Sequence, residues 1–462
     1  MRFTKLVATL ALLAPLGCGS GTQSTPVQPP VYTAEPAPAP MTGPVVTVEP
    51  TEAPKFAEPP PSEPPPPPPQ VAPTPDPSPS PPLPAPAKAK ALSKSVERGL
   101  TWLATQSVKG GGWDQGDEAS KIRGGEQKPG TANVADTSMA LLAFIRAGHT
   151  SSSGEHKAVV DRGLCFVMQQ IEESDGDSLY VTSVRGTRVQ SKIGQFVDTF
   201  AALMALTEAK GKMKNPADNA RLEAAMKKVV KKIEKNQKEN GGFDDKGWAP
   251  VLSQALAAKG MNRAFQGGMA VSKQALQRFE AQAAGGAMKT QAAAGVPLYG
   301  ESTSSANVRD DATTKRVNAD KLREKAKPRR PEPMSQTPEK PPTPAEIAAA
   351  EAEAVAAEKA AVAQEKALVA RLSDDRFVQG FGNNGGEEYL SYMFISETLS
   401  QKRGEEWNKW DGTITKLVEK VQNADGSWVG HHCITGRTFN TAAALLVLMG
   451  DRTPVATKLI AK

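Results

Sequence analysis

The feature that most limits how this chain can fold is an internal repeat. The segment Arg98-Gly99-Leu100-Thr101-Trp102-Leu103-Ala104-Thr105-Gln106 returns sixty-four residues later as Arg162-Gly163-Leu164-Cys165-Phe166-Val167-Met168-Gln169-Gln170. The first copy runs into Gly110-Gly111-Gly112-Trp113. Each copy has a second half: Asp136-Thr137-Ser138-Met139-Ala140-Leu141-Leu142, then Asp198-Thr199-Phe200-Ala201-Ala202-Leu203-Met204. An Asp-Thr pair suits a helix start, where a short polar oxygen caps free N–H groups. The helix that follows is apolar on nearly every side and should be buried. A weaker third copy runs through Val229, Val230 and Ile233 to Gln237 and Gly241-Gly242-Phe243, with a partner helix over 248–258. A clear last copy runs through Leu417 and Val418 to Gln422 and Asp425-Gly426-Ser427-Trp428. Its partner helix begins at Asn440-Thr441, and another helix of the partner type spans 387–399. One hairpin cannot bury its apolar face, whereas stacked neighbours can. The expectation is an all-α protein, an α/α toroid of about four to six helical hairpins, over 91–283 and 374–462.

Other stretches cannot join that array. Of 39 prolines, 26 lie between Pro26 and Pro86, so 19–90 reads as a disordered, Pro-rich tether. Proline favours the extended polyproline helix, which rises about 3.1 Å per residue. The polar, charged region 284–343 reads as a disordered insertion. Residues 344–373 are rich in Ala, Glu and Lys and favour a long helix. The lysines at 227, 228, 231, 232 and 235 lie opposite the apolar positions of their helix and read as a solvated outer face.

The N-terminus reads as an address. Arg2 and Lys5 precede an apolar stretch over 6–16, too short for a membrane span, and Leu16-Gly17-Cys18 resembles a bacterial lipobox, with Pro15 where leucine is usual. The resemblance implies a signal peptide over 1–18, lipidation at Cys18, membrane anchoring, and an exported protein of the cell envelope, outer membrane or cell surface. A net charge of +6, without a basic stripe carrying interleaved aromatics, argues against nucleic acid as a partner. Of the other cysteines, Cys165 and Cys433, each reads as a buried small hydrophobe or as half of a disulfide.

The element Arg-Gly-x-x-Trp-Leu-x-x-Gln followed by Gly-Gly-Trp resembles the QW-type repeat of squalene–hopene cyclases. Related repeats occur in protein prenyltransferase β subunits and in complement-like thioester domains. The resemblance rests on Gln106, Trp113, Gln422 and Trp428 in register, covers about 60% of the chain, and implies a toroid with inner and outer helix rings. It does not carry over the family chemistry. Asp244-Asp245, Asp310-Asp311 and Asp374-Asp375 each lack the further Asp of Asp-x-Asp-Asp. No Asp-x-Cys zinc motif is present, and Gly124 stands where Cys-Gly-Glu-Gln would need its cysteine.

The reactive side chains that remain are His431-His432-Cys433, in the turn of the last hairpin, and the acids at inner-helix starts. Asp136, Asp198, Glu387 and Glu388, with Asn440, are expected at one mouth of the toroid beside those histidines. Three readings stay open. His431, His432 and Cys433 could hold a divalent metal such as zinc with a carboxylate. Cys433 could be a nucleophile activated by histidine, with Asp136, Asp198, Glu388 and His432 as catalytic partners. The cluster could also simply cap and pack the turn. Two functions follow: a binding or scaffold module for an envelope protein or an apolar ligand, or a divergent cyclase- or prenyltransferase-type enzyme acting on an isoprenoid or lipid. Trp113, Trp248, Trp428, Tyr389 and Tyr392 read as packing aromatics.

Overall fold

The computed structural model describes residues 88–117, 130–284, 297–327, 340–378, 381–382 and 385–454. The lipobox, Cys18 and nearly all of the Pro-rich segment lie outside them, as does Gly124. Among the described residues there are fourteen α-helices and no strand, only an isolated bridge between Trp113 and Asn133. No described helix is long and apolar enough to cross a membrane.

The helices fall into six successive hairpins. The first is α1 (Lys94–Thr105) with α2 (Val134–Ala147). The second is α3 (Lys157–Glu173), a short α4 (Arg188–Ile193) and α5 (Val197–Ala209). Then come α6 (Pro216–Asn236) with α7 (Pro250–Gln266), and α8 (Lys273–Ala284) with α9 (Pro297–Ala326). The fifth is α10 (Pro344–Leu372), a short α11 (Asp375–Val378) and α12 (Glu388–Ser400). The last is α13 (Glu405–Lys420) with α14 (Arg437–Leu448). The second helix of each hairpin forms an inner ring: α2 packs on α5, α5 on α7, α7 on α9, α9 on α12, α12 on α14, and α14 back on α2. The ring is closed, which the sequence left open, and six is the upper end of the expected number of hairpins.

The repeated sequence is the lock between hairpins. Trp428 is fully buried, donates its indole N–H to the Val418 carbonyl at 2.8 Å, and lies against Gly99 of α1. A Cβ on Gly99 would meet the Trp428 ring at 2.8 Å and Leu445 at 2.9 Å. Gly426, at φ +96, brings its backbone against the Arg98 carbonyl, an approach and a conformation that only glycine tolerates. Gln422 donates to the Ser95 carbonyl at 2.8 Å. Trp113 and Gly163 repeat this arrangement between the first and second hairpins. An Arg-Gly on one outer helix therefore seats the Gly-x-Trp turn of the preceding hairpin, and the last turn seats on the first helix.

The region read as a disordered insertion is corrected over 297–326. These residues form α9, a 30-residue helix of the inner ring, and α8 is its outer partner. Its polarity misled because distant residues partner many of its buried polar groups. Lys259 of α7 reaches Asp310 at 2.5 Å, and Thr314 donates to Asn262 at 2.6 Å. Arg309 reaches Glu358 at 2.7 Å and Glu365 at 3.0 Å. Helix α10 appears over the expected span and supplies the alanines that pack on α9: Ala357 and Ala361 against Ala312, and Ala350 and Ala354 against Ala319.

Two smaller expectations also change. Lys232 is buried and donates to the Ser178 and Tyr180 carbonyls, both at 2.8 Å, while Lys228 reaches the Glu172 carbonyl at 3.0 Å. Part of the lysine run thus ties α6 to the loop after α3. Trp248 is 44% exposed, whereas Trp113 and Trp428 are fully buried, so it is not a packing aromatic.

A candidate site at the mouth of the helix ring

The starts of the inner helices gather at one end of the ring, as expected, but they spend their acids on one another. Asn133 is the N-cap of α2, its Oδ1 accepting from the Asp136 amide at 2.9 Å. Asp136 sits three residues on, in the first turn, and its Oδ2 accepts from Asn133 Nδ2 at 2.7 Å. The cap is therefore Asn133 rather than Asp136. Asp198, in the first turn of α5, reaches across to α2: its Oδ1 accepts from the Ala135 amide at 2.9 Å and its Oδ2 from Gln190 of α4 at 2.6 Å. Both acids are buried. Burial pushes the Asp136 carboxyl up to about 8, with the Asp198 charge adding to it, and burial raises Asp198 as well.

A second group forms where α12, α9 and the last turn meet. Glu387, fully buried before α12, accepts from the Tyr299 hydroxyl at 3.1 Å. Glu388 accepts from the Gly382 amide at 3.1 Å and from the Tyr392 hydroxyl. Cys433 is half-buried, at φ +57, beside Glu387. Burial, then the Glu387 charge, push its thiol up to about 11. It is a thiol at neutral pH, not a poised thiolate. His431 is exposed, and its ring lies edge-on to that of half-buried His432 at 4.4 Å. The His432 carbonyl accepts from the Gly386 amide, and Asn440 Nδ2 donates to the Ile434 and Gly436 carbonyls at 3.0 and 2.7 Å.

The structure thus brings Asp136 to Asp198, and Cys433 to Glu387, in two buried groups. Among the described residues no three His, Cys, Asp or Glu side chains are grouped as a metal would need. Cys165 and Cys433 are both free, so they form no disulfide. Sequence reasoning missed Tyr299, which lay in the stretch read as disordered, and Gln190. Asn133 was visible as a capping residue three positions before an acid.

The opposite end of the ring is filled by charge. Arg146 of α2 reaches Glu208 of α5 at 2.8 Å and Glu397 of α12 at 2.6 Å. Arg263 of α7 reaches the same two acids at 2.7 and 3.0 Å. Lys259 bridges Glu397 at 2.8 Å and Asp310 of α9. Three cations and three anions from five inner helices make a balanced, buried cluster.

A pH effect follows from Asp136. Its folded value, about 8, stands above the ordinary aspartate value of 3.8, so the folded state holds a proton that the unfolded state releases. That preference stabilises fully below about 3.8 and is lost as pH rises towards 8. Asp136→Asn should keep the acceptor for Asn133 and raise the unfolding free energy at pH 8 by about 2 kcal/mol. The gain should shrink at pH 5. Denaturant melts at the two pH values check this, and an equal loss at both would refute it.

No protein-family model and no curated protein matches the chain. Among solved structures, one similar chain is described as a novel alpha-amylase from Clostridium perfringens. It is 12% identical, with a TM-score of 0.39, over 77% of this chain and 97% of that one. Nothing about activity follows from a likeness at that level.

Proposed function

We propose that this protein is an envelope lipoprotein, anchored through Cys18, whose toroid is a rigid binding scaffold for an envelope protein or an apolar ligand. The observation that carries this reading is the fate of the mouth acids. Asp136, Asp198, Glu387 and Glu388 are buried, and each is bonded through at least one oxygen to Asn133, to the start of α2, to Tyr299 or to Tyr392, which supports a role in the fold rather than on a substrate. With the far end of the ring filled by ion pairs, the toroid suits a platform better than a reaction chamber of the cyclase or prenyltransferase type.

Two features favour the mouth as the binding face. Trp248 is exposed there, its ring edge-on to Tyr299 at 6.0 Å, and exposed tryptophans are frequent anchors of protein interfaces. The folded part is also entered from the other end. The Lys90 amide donates to Asp451 at 2.7 Å, and Arg403 donates to the Lys88 carbonyl at 3.3 Å, both beyond the ends of inner helices. Residues 88–90 therefore pack at the end opposite the mouth and leave the mouth uncovered. Photo-crosslinking residues placed at 248 and 431 of the full chain in cells should give discrete adducts, while one at 227 on the outer face of α6 should give none. Equal adducts at all three positions would overturn the reading.

A further inference from the structure

The fourth hairpin breaks the repeat in a way that leaves a hollow. Inner helices other than α9 have 12 to 17 residues, but α9 has 30, and its outer partner α8 has 12. At about 1.5 Å per residue, α8 cannot cover α9. The long α10 covers part of what remains. Between α7, α8, α9 and α10 lies a cavity of about 370 Å³, continued by a narrower one of about 110 Å³. Ligand sites begin at about this size.

The two cavities share Glu280 of α8 and Asp311 of α9. The wider one adds Lys273, Lys315 and Glu353, so its lining holds three carboxylates against two ammonium groups, one positive charge short. Lys315 serves both shared acids, contacting Glu280 and standing 3.1 Å from Asp311. Asp310, next in sequence, is neutralised elsewhere by Lys259. The carboxyl of Asp311 is mostly buried, and burial pushes it up to about 6 even with Lys315 beside it. The narrower arm is chiefly apolar, with Ala258, Phe279, Val308, Ala357 and Ala360 on its walls.

We propose that this flank cleft binds a small amphipathic amine, its ammonium between Glu280 and Asp311 and its hydrocarbon end in the narrow arm. The proposal goes beyond the mouth reading, because it names a ligand class for a separate site.

Hexylammonium, hexanol and hexanoate are the probes, titrated against the full chain by calorimetry. Hexylammonium should bind saturably, and at least tenfold more tightly than either of the others. Asp311→Asn and Glu280→Gln should each weaken it at least tenfold. Lys315→Gln should tighten it, because it removes the internal ammonium that competes for the same acids; a merely structural Lys315 would not do so. Trp248→Ala should leave it unchanged. Hexanoate binding as tightly, no saturable binding by hexylammonium, or unchanged binding in the folded Glu280→Gln protein would each overturn the proposal. The crosslinks at 248 and 431 are read independently, so failure here is distinct from failure of the mouth as a binding face.

Discussion

Glu397→Ala should cost about 3–5 kcal/mol of unfolding free energy, among the largest effects of any single substitution. Glu397 is 1% exposed and touches Arg146, Lys259 and Arg263 at once. Removing it leaves three buried cations facing Glu208 and Asp310 alone. Burial by itself would push the Glu397 carboxyl up. Lys259, Arg146 and Arg263 more than offset this and hold it well below the usual carboxylate range. The stability it contributes is therefore present above the ordinary glutamate value and is lost as pH falls well into the acid range. Removing a neutral pair together, Lys259→Met with Asp310→Leu, should cost much less, because buried ion pairs replaced by apolar groups of similar size are often near neutral. Denaturant unfolding at pH 7 compares the two. If the pair costs as much as Glu397→Ala, charge balance is not what the cluster provides.

Trp428→Ala should cost a similar amount, about 3–5 kcal/mol, by leaving a cavity where a fully buried tryptophan stood. Its signature is where the molecule loosens. Trp428 closes the ring by seating on Gly99, so hydrogen exchange should quicken in α1 and α14, the two helices across the closure. Trp113→Ala removes the equivalent lock one hairpin on and should loosen α2 and α3 instead. Gly99→Val should resemble Trp428→Ala, since its added carbons compete for the space of the Trp428 ring. Uniform quickening across all helices in both tryptophan variants would mean that the locks are not local.

Much of this fold was legible because its repeat is a contact code. Arg98-Gly99 and Arg162-Gly163 recur since an outer helix must admit a tryptophan from the preceding hairpin, and the apolar inner helices after Asp136, Asp198 and Asn440 announce a buried ring. What the sequence could not convey was the fate of polar groups. Ser302, Asn307 and Asp310 in α9 resemble a solvated segment until Lys259, Asn262, Glu358 and Glu387 arrive from distant positions to satisfy that helix. Asp136 and Asp198 resemble candidate acids until they are seen bonded to Asn133, Ala135 and Gln190. Hydrophobic periodicity is local and can be read along a chain. The pairing of buried charges and hydrogen bonds is long-range, so only the closed ring decided which polar residues hold the fold.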